Sequence, residues 1–298
     1  MRPSEHVNEI VFAGDILKIG RWRLPAEHRN FTDSGPTKNY LFVFPRTAGW
    51  IEHAGGRAFV ADPNIVTYYN RHQEYVRRAI NPAGDHSDYY AIDQHVLRQI
   101  VAVWDPAAAE TDRILRVTHG PSDAFTYLQQ RMVYTHVRRS PSPDALFVEE
   151  TMVNVLERLM EMAYGQQGIV RSDRQRDLVE HAREVLASHF AAPLTLTALA
   201  RAAGSSVFHL CRLFRGHTGL TIHAYRNQLR LRTALGRVAE PSIDLSALAF
   251  DLGFSSHSHF TSAFRQLYGL TPSELRRQAN ERRLLNLACA ASSGRRTP

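Results

Sequence analysis

Residues 199–206 read Leu-Ala-Arg-Ala-Ala-Gly-Ser-Ser, and residues 248–256 repeat the pattern as Leu-Ala-Phe-Asp-Leu-Gly-Phe-Ser-Ser. In each copy a short apolar segment leads to a glycine, which readily adopts positive φ, and then to a serine that can cap the next helix. Apolar residues follow at helical spacing, namely Leu210, Leu213 and Phe214 in the first copy and Phe260, Ala263 and Phe264 in the second. The pattern predicts two helix-turn-helix units, a motif whose second helix typically enters the major groove of DNA.

One long helix is predicted between the two copies. From Thr221 to Val238 apolar residues recur at helical spacing, and arginines occupy the other faces. A helix of about 17 residues is roughly 26 Å long. With its flanking turns, such a helix suits two reading helices placed about 34 Å apart, which is one turn of B-DNA. A single chain could therefore read two successive major grooves.

The second copy and the residues after it resemble a known family. Residues 253–265 read Gly-Phe-Ser-Ser-His-Ser-His-Phe-Thr-Ser-Ala-Phe-Arg, and residues 268–276 read Tyr-Gly-Leu-Thr-Pro-Ser-Glu-Leu-Arg. This sequence resembles the signature of the AraC/XylS family of bacterial transcription regulators, and residues 206–215 resemble that family's first reading helix. The resemblance covers about the last third of the chain. It implies sequence-specific promoter binding, coupled to a sensing or dimerising domain elsewhere in the chain.

Positive charge is concentrated in the same part of the chain. The 298 residues carry a net formal charge of +7, but from Arg171 onward 18 arginines accompany only nine acidic residues, and the first 170 residues are slightly acidic. Release of counterions from DNA phosphates favours such a distribution. A basic solvated surface would have the same composition. The chain length allows about two domains.

The composition also indicates the compartment. Residues 1–20 mix charged residues with short apolar runs, unlike a signal peptide, and no apolar run approaches the roughly 20 residues of a membrane span. The two cysteines, Cys211 and Cys289, provide no disulfide framework. We therefore expect a cytoplasmic protein without a membrane partner.

The chain up to about residue 103 is predicted to form β-structure. Short apolar, β-branched or aromatic runs alternate with turn formers such as Gly55-Gly56 and Asp62-Pro63-Asn64. The runs are residues 10–12, 40–44, 50–53, 58–60, 65–69, 75–76 and 89–92. Closely spaced strands of this kind favour an antiparallel sandwich or a small barrel. The family resemblance implies a cupin-like sensor barrel.

Helical periodicity follows the strands. One helix is expected after Ser122-Asp123 and another from Asp144 to about Gly165, whose apolar stripe could pair with a second subunit or pack on the barrel. The predicted fold class is α+β with two domains. Residues 1–165 form a sensor or dimerisation domain, an antiparallel cupin-like β-barrel with helices, and residues 166–171 form a linker. Residues 172–291 form an all-α DNA-binding domain with two helix-turn-helix motifs joined by a long helix, and residues 292–298 form a flexible tail.

Helical phase separates core residues from candidate DNA-binding residues. The outward positions are Phe208, His209, Arg212 and Arg215 in the first reading helix, and His257, Ser258, His259, Ser262 and Arg265 in the second. Arg212 is the candidate for a bidentate contact with guanine, and Arg215 for a phosphate contact. Phe208 suits either a thymine methyl group or the core, and His259 suits either DNA or a hydrogen bond within the fold. Ser262 stands where the resembling family often has a larger polar residue, which predicts less base discrimination by the second helix.

A metal-dependent enzyme is the main alternative. Metal-dependent cupins use a His-x-His pair with a following Glu and a distant His, whereas the barrel segment has separate histidines, among them His53 and His86. We therefore predict no catalytic residue, no metal and no cofactor, and a cupin-like enzyme with a helical appendage remains the alternative. A non-specific architectural DNA binder is a third option. The expected partner is double-stranded promoter DNA, with RNA polymerase, a small-molecule effector and a second subunit as further candidates.

Overall fold

The computed structural model describes residues 7–32, 35–165 and 172–279. The strands are β1 (Val7–Ala13), β2 (Leu17–Leu24), β3 (Tyr40–Pro45), β4 (Gly49–His53), β5 (Phe59–Ala61), β6 (Ile65–Tyr69), β7 (Tyr75–Ala79), β8 (Asp85–Ile92) and β9 (His119–Pro121). The helices are α1 (Gln94–Ala102), α2 (Pro106–Ala109), α3 (Ala124–Arg139), α4 (Ala145–Gly165), α5 (Asp173–His189), α6 (Leu196–Ala202), α7 (Val207–Thr218), α8 (Ile222–Val238), α9 (Leu245–Asp251), α10 (His257–Tyr268) and α11 (Pro272–Ala279). None of these helices is both long enough and apolar enough to cross a membrane.

The strands of the N-terminal half form two sheets. The larger sheet is antiparallel and has the order β1-β2-β8-β3-β6-β9, and the smaller has the order β5-β4-β7. They pack against each other through a cluster that includes Ile51 and Phe59 from the smaller sheet and Tyr69 from the larger one. Within the described residues the sheets do not join into a closed barrel. The structure thus has the sandwich-like arrangement, and the predicted closed cupin-like barrel is wrong for this part of the chain.

Contacts from the helical half (residues 172–279) explain why no further strand pairs with β5 at the edge of the smaller sheet. Strand β5 pairs with β4 on one side, and on the other side α5 lies against it. The Val60 N–H donates to Oε2 of Glu180 at 2.6 Å, and the Val60 carbonyl accepts from Nη2 of Arg183 at 2.6 Å. Side chains of a helix therefore satisfy the edge that another strand would occupy in a barrel.

The sequence located most of the strands. All seven predicted runs fall on strands, but β2 and β9 were not predicted, and α1 is a helix in a region where β-structure was expected. Strand β2 has no continuous apolar run because it alternates buried Leu17 and Ile19 with the exposed Lys18 and Arg23. It nevertheless lies between β1 and β8 and pairs with both.

The helices after the sheets begin where the sequence placed them. Asp123 caps α3 by accepting from the Thr126 N–H at 2.7 Å, and α4 begins at Ala145, directly after Asp144. The apolar stripe of α4 faces its own chain, with Val148, Met152 and Leu159 completely buried. The structure therefore shows intramolecular packing for this stripe. The predicted linker at 166–171, the part of the predicted all-α domain from residue 280 to 291 and the predicted tail lie outside the described residues.

The helical half is divided between two apolar cores. The first core lies within the helical half. It is built from α5, α6, α7 and the start of α8, and Leu210 and Phe214 are completely buried in it. The other core joins α8–α11 to the N-terminal half, so that Phe260 and Phe264 belong to the same cluster as Tyr127 of α3. The second helix pair is thus packed as a continuation of the N-terminal half.

Candidate DNA-binding surface

The two copies of the sequence pattern form the same local turn. In the first, the N–H groups of Ala203 and Ser205 donate to the carbonyls of Leu199 (2.9 Å) and Ala200 (2.9 Å). In the second, the N–H groups of Leu252 and Phe254 donate to the carbonyls of Leu248 (3.1 Å) and Ala249 (3.0 Å). The glycine between each pair of donors has positive φ, +64° at Gly204 and +80° at Gly253. Glycine is favoured there because it has no Cβ to oppose this conformation.

The helix that follows each turn has the same length and the same caps. Helices α7 and α10 are both 12 residues long. Ser206 caps α7 by accepting from the His209 N–H at 3.3 Å, and Ser256 caps α10 by accepting from the His259 N–H at 3.1 Å. Both helices end at a left-handed glycine, Gly219 or Gly269. Residues 50 apart in the sequence are therefore equivalent in the two helices.

The inward face of each helix is fixed by two aromatic or aliphatic residues one turn apart. Leu210 and Phe214 on α7 and Phe260 and Phe264 on α10 have no exposed surface. Neither helix contains an aspartate or glutamate. Both helices thus expose basic and hydroxyl side chains without any negative charge, which is the character required beside DNA phosphates.

Most candidates on α7 are exposed as predicted by helical phase. Arg212 and Arg215 are exposed, and His209 is half-buried. Phe208 has 78% of its surface exposed, so the alternative that it belongs to the core is wrong. A large aromatic side chain left in solvent is unusual unless it meets a partner.

The candidates on α10 are smaller and more polar. Ser258, His259, Ser262 and Arg265 are exposed, and His257 is half-buried. His259 also makes the predicted contact within the fold, because its Nδ1 lies 3.1 Å from Oγ of Ser255 and its ring packs edge-on against Phe254. Ser262 is equivalent to Arg212, so α10 lacks the long guanidinium that α7 presents.

Several arginines of α8 are used inside the molecule. Nε of Arg226 (3.0 Å) and Nε of Arg230 (2.7 Å) both donate to the Phe190 carbonyl. Burial, followed by the nearby charge of Arg226, lowers the pKa of Arg230 to about 10, which keeps it charged at neutral pH. Arg232 is completely buried and donates to the carbonyls of Pro63 and Ser122 in the N-terminal half. The composition assigned these side chains to a basic surface. Their hydrogen bonds to backbone carbonyls show that they instead hold segments of the chain together.

The N-terminal half contains a cavity of about 280 Å³ between its two sheets. Aromatic residues from both sheets line it, including Trp22, Tyr69 and Tyr75, together with Arg77. Arg77 is nearly buried, forms an ion pair with Asp85, donates to the Tyr75 hydroxyl at 2.6 Å and lies 5.3 Å from the Trp22 ring centroid. A cavity with mostly apolar walls and a few polar groups has the character of a small-molecule site.

The histidines of the sheets do not assemble into a metal site in the part of the chain that is described. His53 lies at the end of β4, where its ring centroid is 4.7 Å from that of Tyr69, and His86 lies on β8. No group of three or more His, Cys, Asp or Glu side chains suited to a metal ion occurs within residues 7–32, 35–165 and 172–279. The structure gives no support to the cupin-like enzyme.

Comparison with known proteins identifies the type of domain in the helical half. Residues 199–278 match the family model described as a helix-turn-helix domain. The chain is 41% identical over 87 residues to the HTH-type transcriptional regulator GlxA of Rhizobium meliloti, which covers 29% of this chain and 27% of GlxA. It is 29% identical over 161 residues to the HTH-type transcriptional activator RhaS of Escherichia fergusonii, covering 53% of this chain and 57% of RhaS. The C-terminal region is an AraC-type helix-turn-helix domain.

Two solved structures of regulators are also similar to parts of this chain. A regulator with an AraC-type DNA-binding domain from Chromobacterium violaceum is 28% identical, covers 35% of this chain and 94% of its own, and has a TM-score of 0.33. ToxT from Vibrio cholerae is 10% identical, covers 88% of this chain and 98% of its own, and has a TM-score of 0.35. The chain spans only about a quarter of GlxA and just over half of RhaS.

Proposed function

We propose that this protein is a sequence-specific DNA-binding transcription regulator. In this proposal, residues 172–291 are the DNA-binding domain, and α6–α7 and α9–α10 are two helix-turn-helix units joined by α8. The second helix of each unit reads one of two successive major grooves. Residues 1–165 sense a small molecule, form a homodimer or do both, and promoter DNA is the main partner.

One observation carries the proposal. Helices α7 and α10 have equal length, the same serine and glycine caps, and buried residues at equivalent positions, and both expose their opposite faces. Two equivalent helices with free polar faces are what a chain needs in order to read two grooves. The Arg212 side chain would supply base recognition, and Arg215 and Arg265 would hold phosphates.

The proposed sensing function rests on the cavity between the two sheets. Its aromatic walls and the fixed guanidinium of Arg77 favour a compact organic ligand. Dimerisation would have to use a surface other than the α4 stripe, because that stripe is already buried. A regulator of this kind also has RNA polymerase as a candidate partner, which the proposal includes without assigning a surface.

Binding of the full chain to DNA tests the proposal. The DNA from upstream of the protein's own gene is compared with random DNA of equal length at two salt concentrations. We expect a preference for the upstream DNA that persists at the higher salt concentration. Arg212→Ala should lose about 1–3 kcal/mol on the matched site and little on a site whose contacted guanine has been replaced. Arg215→Ala should weaken binding to both sites equally and reduce the salt dependence.

Two results would contradict different parts of the proposal. Equal losses of Arg212→Ala on the matched and the substituted sites would show that Arg212 makes no base contact. No preference for upstream over random DNA at either salt concentration would favour the architectural alternative. Circular dichroism of both variants serves as the control, and it should be unchanged because both side chains are exposed.

A further inference from the structure

A second cavity, a cleft of about 490 Å³, opens between the two halves of the molecule. Basic side chains from both halves line it. Arg116 and His119 come from the N-terminal half, and Arg176, Arg183 and His217 come from the helical half. No aspartate or glutamate is among the described residues that line this junction cleft. Its described wall thus contains five basic side chains and no carboxylate.

The nearest carboxylates are committed to partners within the protein. Asp62 accepts from the Tyr225 hydroxyl at 2.5 Å and from the Asn64 N–H at 2.8 Å. Glu180 accepts from the Val60 N–H at 2.6 Å and from Nη1 of Arg183 at 2.8 Å. Both carboxylates are buried and pair with Arg183, which is itself buried. The exposed cations of the cleft are therefore Arg116 and Arg176.

The pKa of His119 reflects its surroundings at this wall. Its ring stacks on Phe59 with the centroids 4.0 Å apart. Burial lowers the pKa of His119 to about 3, and the positive charges of Arg183 and Arg176 lower it further. Burial is the main cause of this shift, and the smaller contributions of the two arginines show that positive charge lies close to His119.

One of the arginines, Arg176, forms no ion pair with another described residue. Arg176 lies exposed on α5 and makes no salt bridge in the part of the chain that the structure describes. Arg116 is half-exposed, and its Nη1 lies 3.5 Å from Oδ2 of Asp105. Ile65, Val117 and Leu220 add an apolar part to the wall. The volume lies within the range of sites that hold metabolite-sized ligands.

We propose that the junction cleft binds a small organic anion whose carboxylate or phosphate group is held by Arg176 and Arg116. The apolar part of the ligand packs on Ile65, Val117 and Leu220. Both halves of the molecule contribute to the site, so a bound anion adds contacts between them. The site is separate from the cavity between the sheets, and its existence is testable without DNA.

Calorimetric titration of the full chain in Tris chloride buffer tests the site. The probes are hexanoate, its neutral analogue hexanamide, and inorganic phosphate. We expect hexanoate to bind and hexanamide to bind at least about tenfold more weakly, since the charge-assisted hydrogen bonds are lost. Arg176→Gln and Arg116→Gln should each weaken hexanoate binding about tenfold. Phosphate binding with the same dependence on Arg176 would also support the site and would assign a phosphorylated ligand.

Arg174→Gln is the matched control. Arg174 is exposed on the same helix but does not line the cleft, because residues two apart point to different sides of a helix. This variant should bind hexanoate as the unmodified chain does. The proposal is wrong if neither hexanoate nor phosphate binds, if hexanamide binds as tightly as hexanoate, or if Arg174→Gln weakens binding as much as Arg176→Gln. Melting temperatures without ligand should be equal for the unmodified chain and all three variants.

Discussion

The side chain of His53 is enclosed by aromatic rings at the end of β4. Only 4% of its surface is exposed, and its ring lies 5.9 Å from Phe59 and 4.7 Å from Tyr69, measured between centroids. Its Nε2 has no hydrogen-bond partner among the described residues. Burial, assisted by the positive charge of Arg113, lowers the pKa of His53 to about 4.

This histidine should make the stability of the protein depend on pH. In the unfolded chain an ordinary histidine binds a proton near pH 6.5, whereas in the folded protein His53 stays neutral until about pH 4. Between these values the unfolded state holds more protons, so stability is complete above pH 6.5 and falls as the pH is lowered. The slope from this residue is at most about 1.4 kcal/mol per pH unit.

Urea unfolding between pH 7 and pH 4.5 measures this contribution. His53→Phe should make the pH dependence less steep, because phenylalanine fits among the same rings and does not titrate. The contribution of His119, whose pKa is also low, remains. His95→Phe is the control, since His95 is exposed on α1 and should leave the pH dependence unchanged. If the stability of His53→Phe has the same pH dependence as that of the unmodified chain, the pKa of His53 is the same in the folded and the unfolded states.

Among the elements, the turns that precede α7 and α10 differ in what surrounds their glycines. A Cβ added at Gly253 would lie 2.1 Å from the carbonyl oxygen of Ala191, whereas one added at Gly204 would meet no heavy atom within 4 Å. Both glycines have positive φ. The second turn is therefore packed against the segment after α5, and the first turn is open.

This difference predicts unequal costs for the same substitution. Gly204→Ala should lower the free energy of unfolding by about 1 kcal/mol, which is the cost of the left-handed conformation for alanine. Gly253→Ala should cost about 3 kcal/mol or more, because the clash with a backbone oxygen adds to the same conformational cost. Urea unfolding of the two variants makes the comparison, with each serving as control for the other. Equal losses would show that the backbone at Ala191 yields to the added methyl group.

At the scale of the whole molecule, a buried polar network joins the two halves. Asp62 has no exposed surface, and it accepts from the hydroxyl of Tyr225 and lies 3.3 Å from Nη2 of Arg183. Asn64 adds a hydrogen bond from its Nδ2 to the Tyr225 carbonyl at 3.1 Å. A carboxylate of the N-terminal half thus contacts α5 and α8 of the helical half.

Removal of Asp62 should be strongly destabilising. Asp62→Ala leaves the guanidinium of Arg183 and the hydroxyl of Tyr225 buried with fewer partners, and breaking a buried charge pair in this way costs about 3–5 kcal/mol. Asp112→Ala is the control, because the Asp112 side chain is 98% exposed and its pair with Arg98 is 3.4 Å long. Its loss should change stability by less than about 1 kcal/mol. Denaturant unfolding of the two variants measures both changes in stability. A similar small loss of stability for both would mean that water takes the place of the Asp62 carboxylate.

The sequence predicted the helical half better than the sheets because local signals dominate there. The Leu-Ala, glycine and serine positions, together with the spacing of Leu210 and Phe214, fix the turns, the caps and the inward face through neighbours in sequence. Strand β2 and the open edge at β5 depend on residues far away in the chain. No local pattern indicates that Glu180 and Arg183 would satisfy the backbone of Val60.

The candidate sites divide in the same way. The outward position of Arg212 follows from helical phase, and the structure shows it exposed. The enclosure of His53 and the internal use of Arg232 follow from the packing of distant segments, which spacing along the chain does not encode. The junction cleft was also unpredicted, because Arg116 and Arg176 come together only when the two halves meet.

The core shared by α3 and the second helix pair limits how such a protein can be recombined. Tyr127 of α3 belongs to the same apolar cluster as Phe260 and Phe264, and the guanidinium of Arg232 lies 4.7 Å from the Tyr127 ring centroid. A chimera cut between α4 and α5 would set α3 against foreign side chains of different size and leave gaps or clashes in a close-packed interior. When helical halves are exchanged between relatives, we therefore expect that the α3 residues facing α8–α11 must be exchanged together with them.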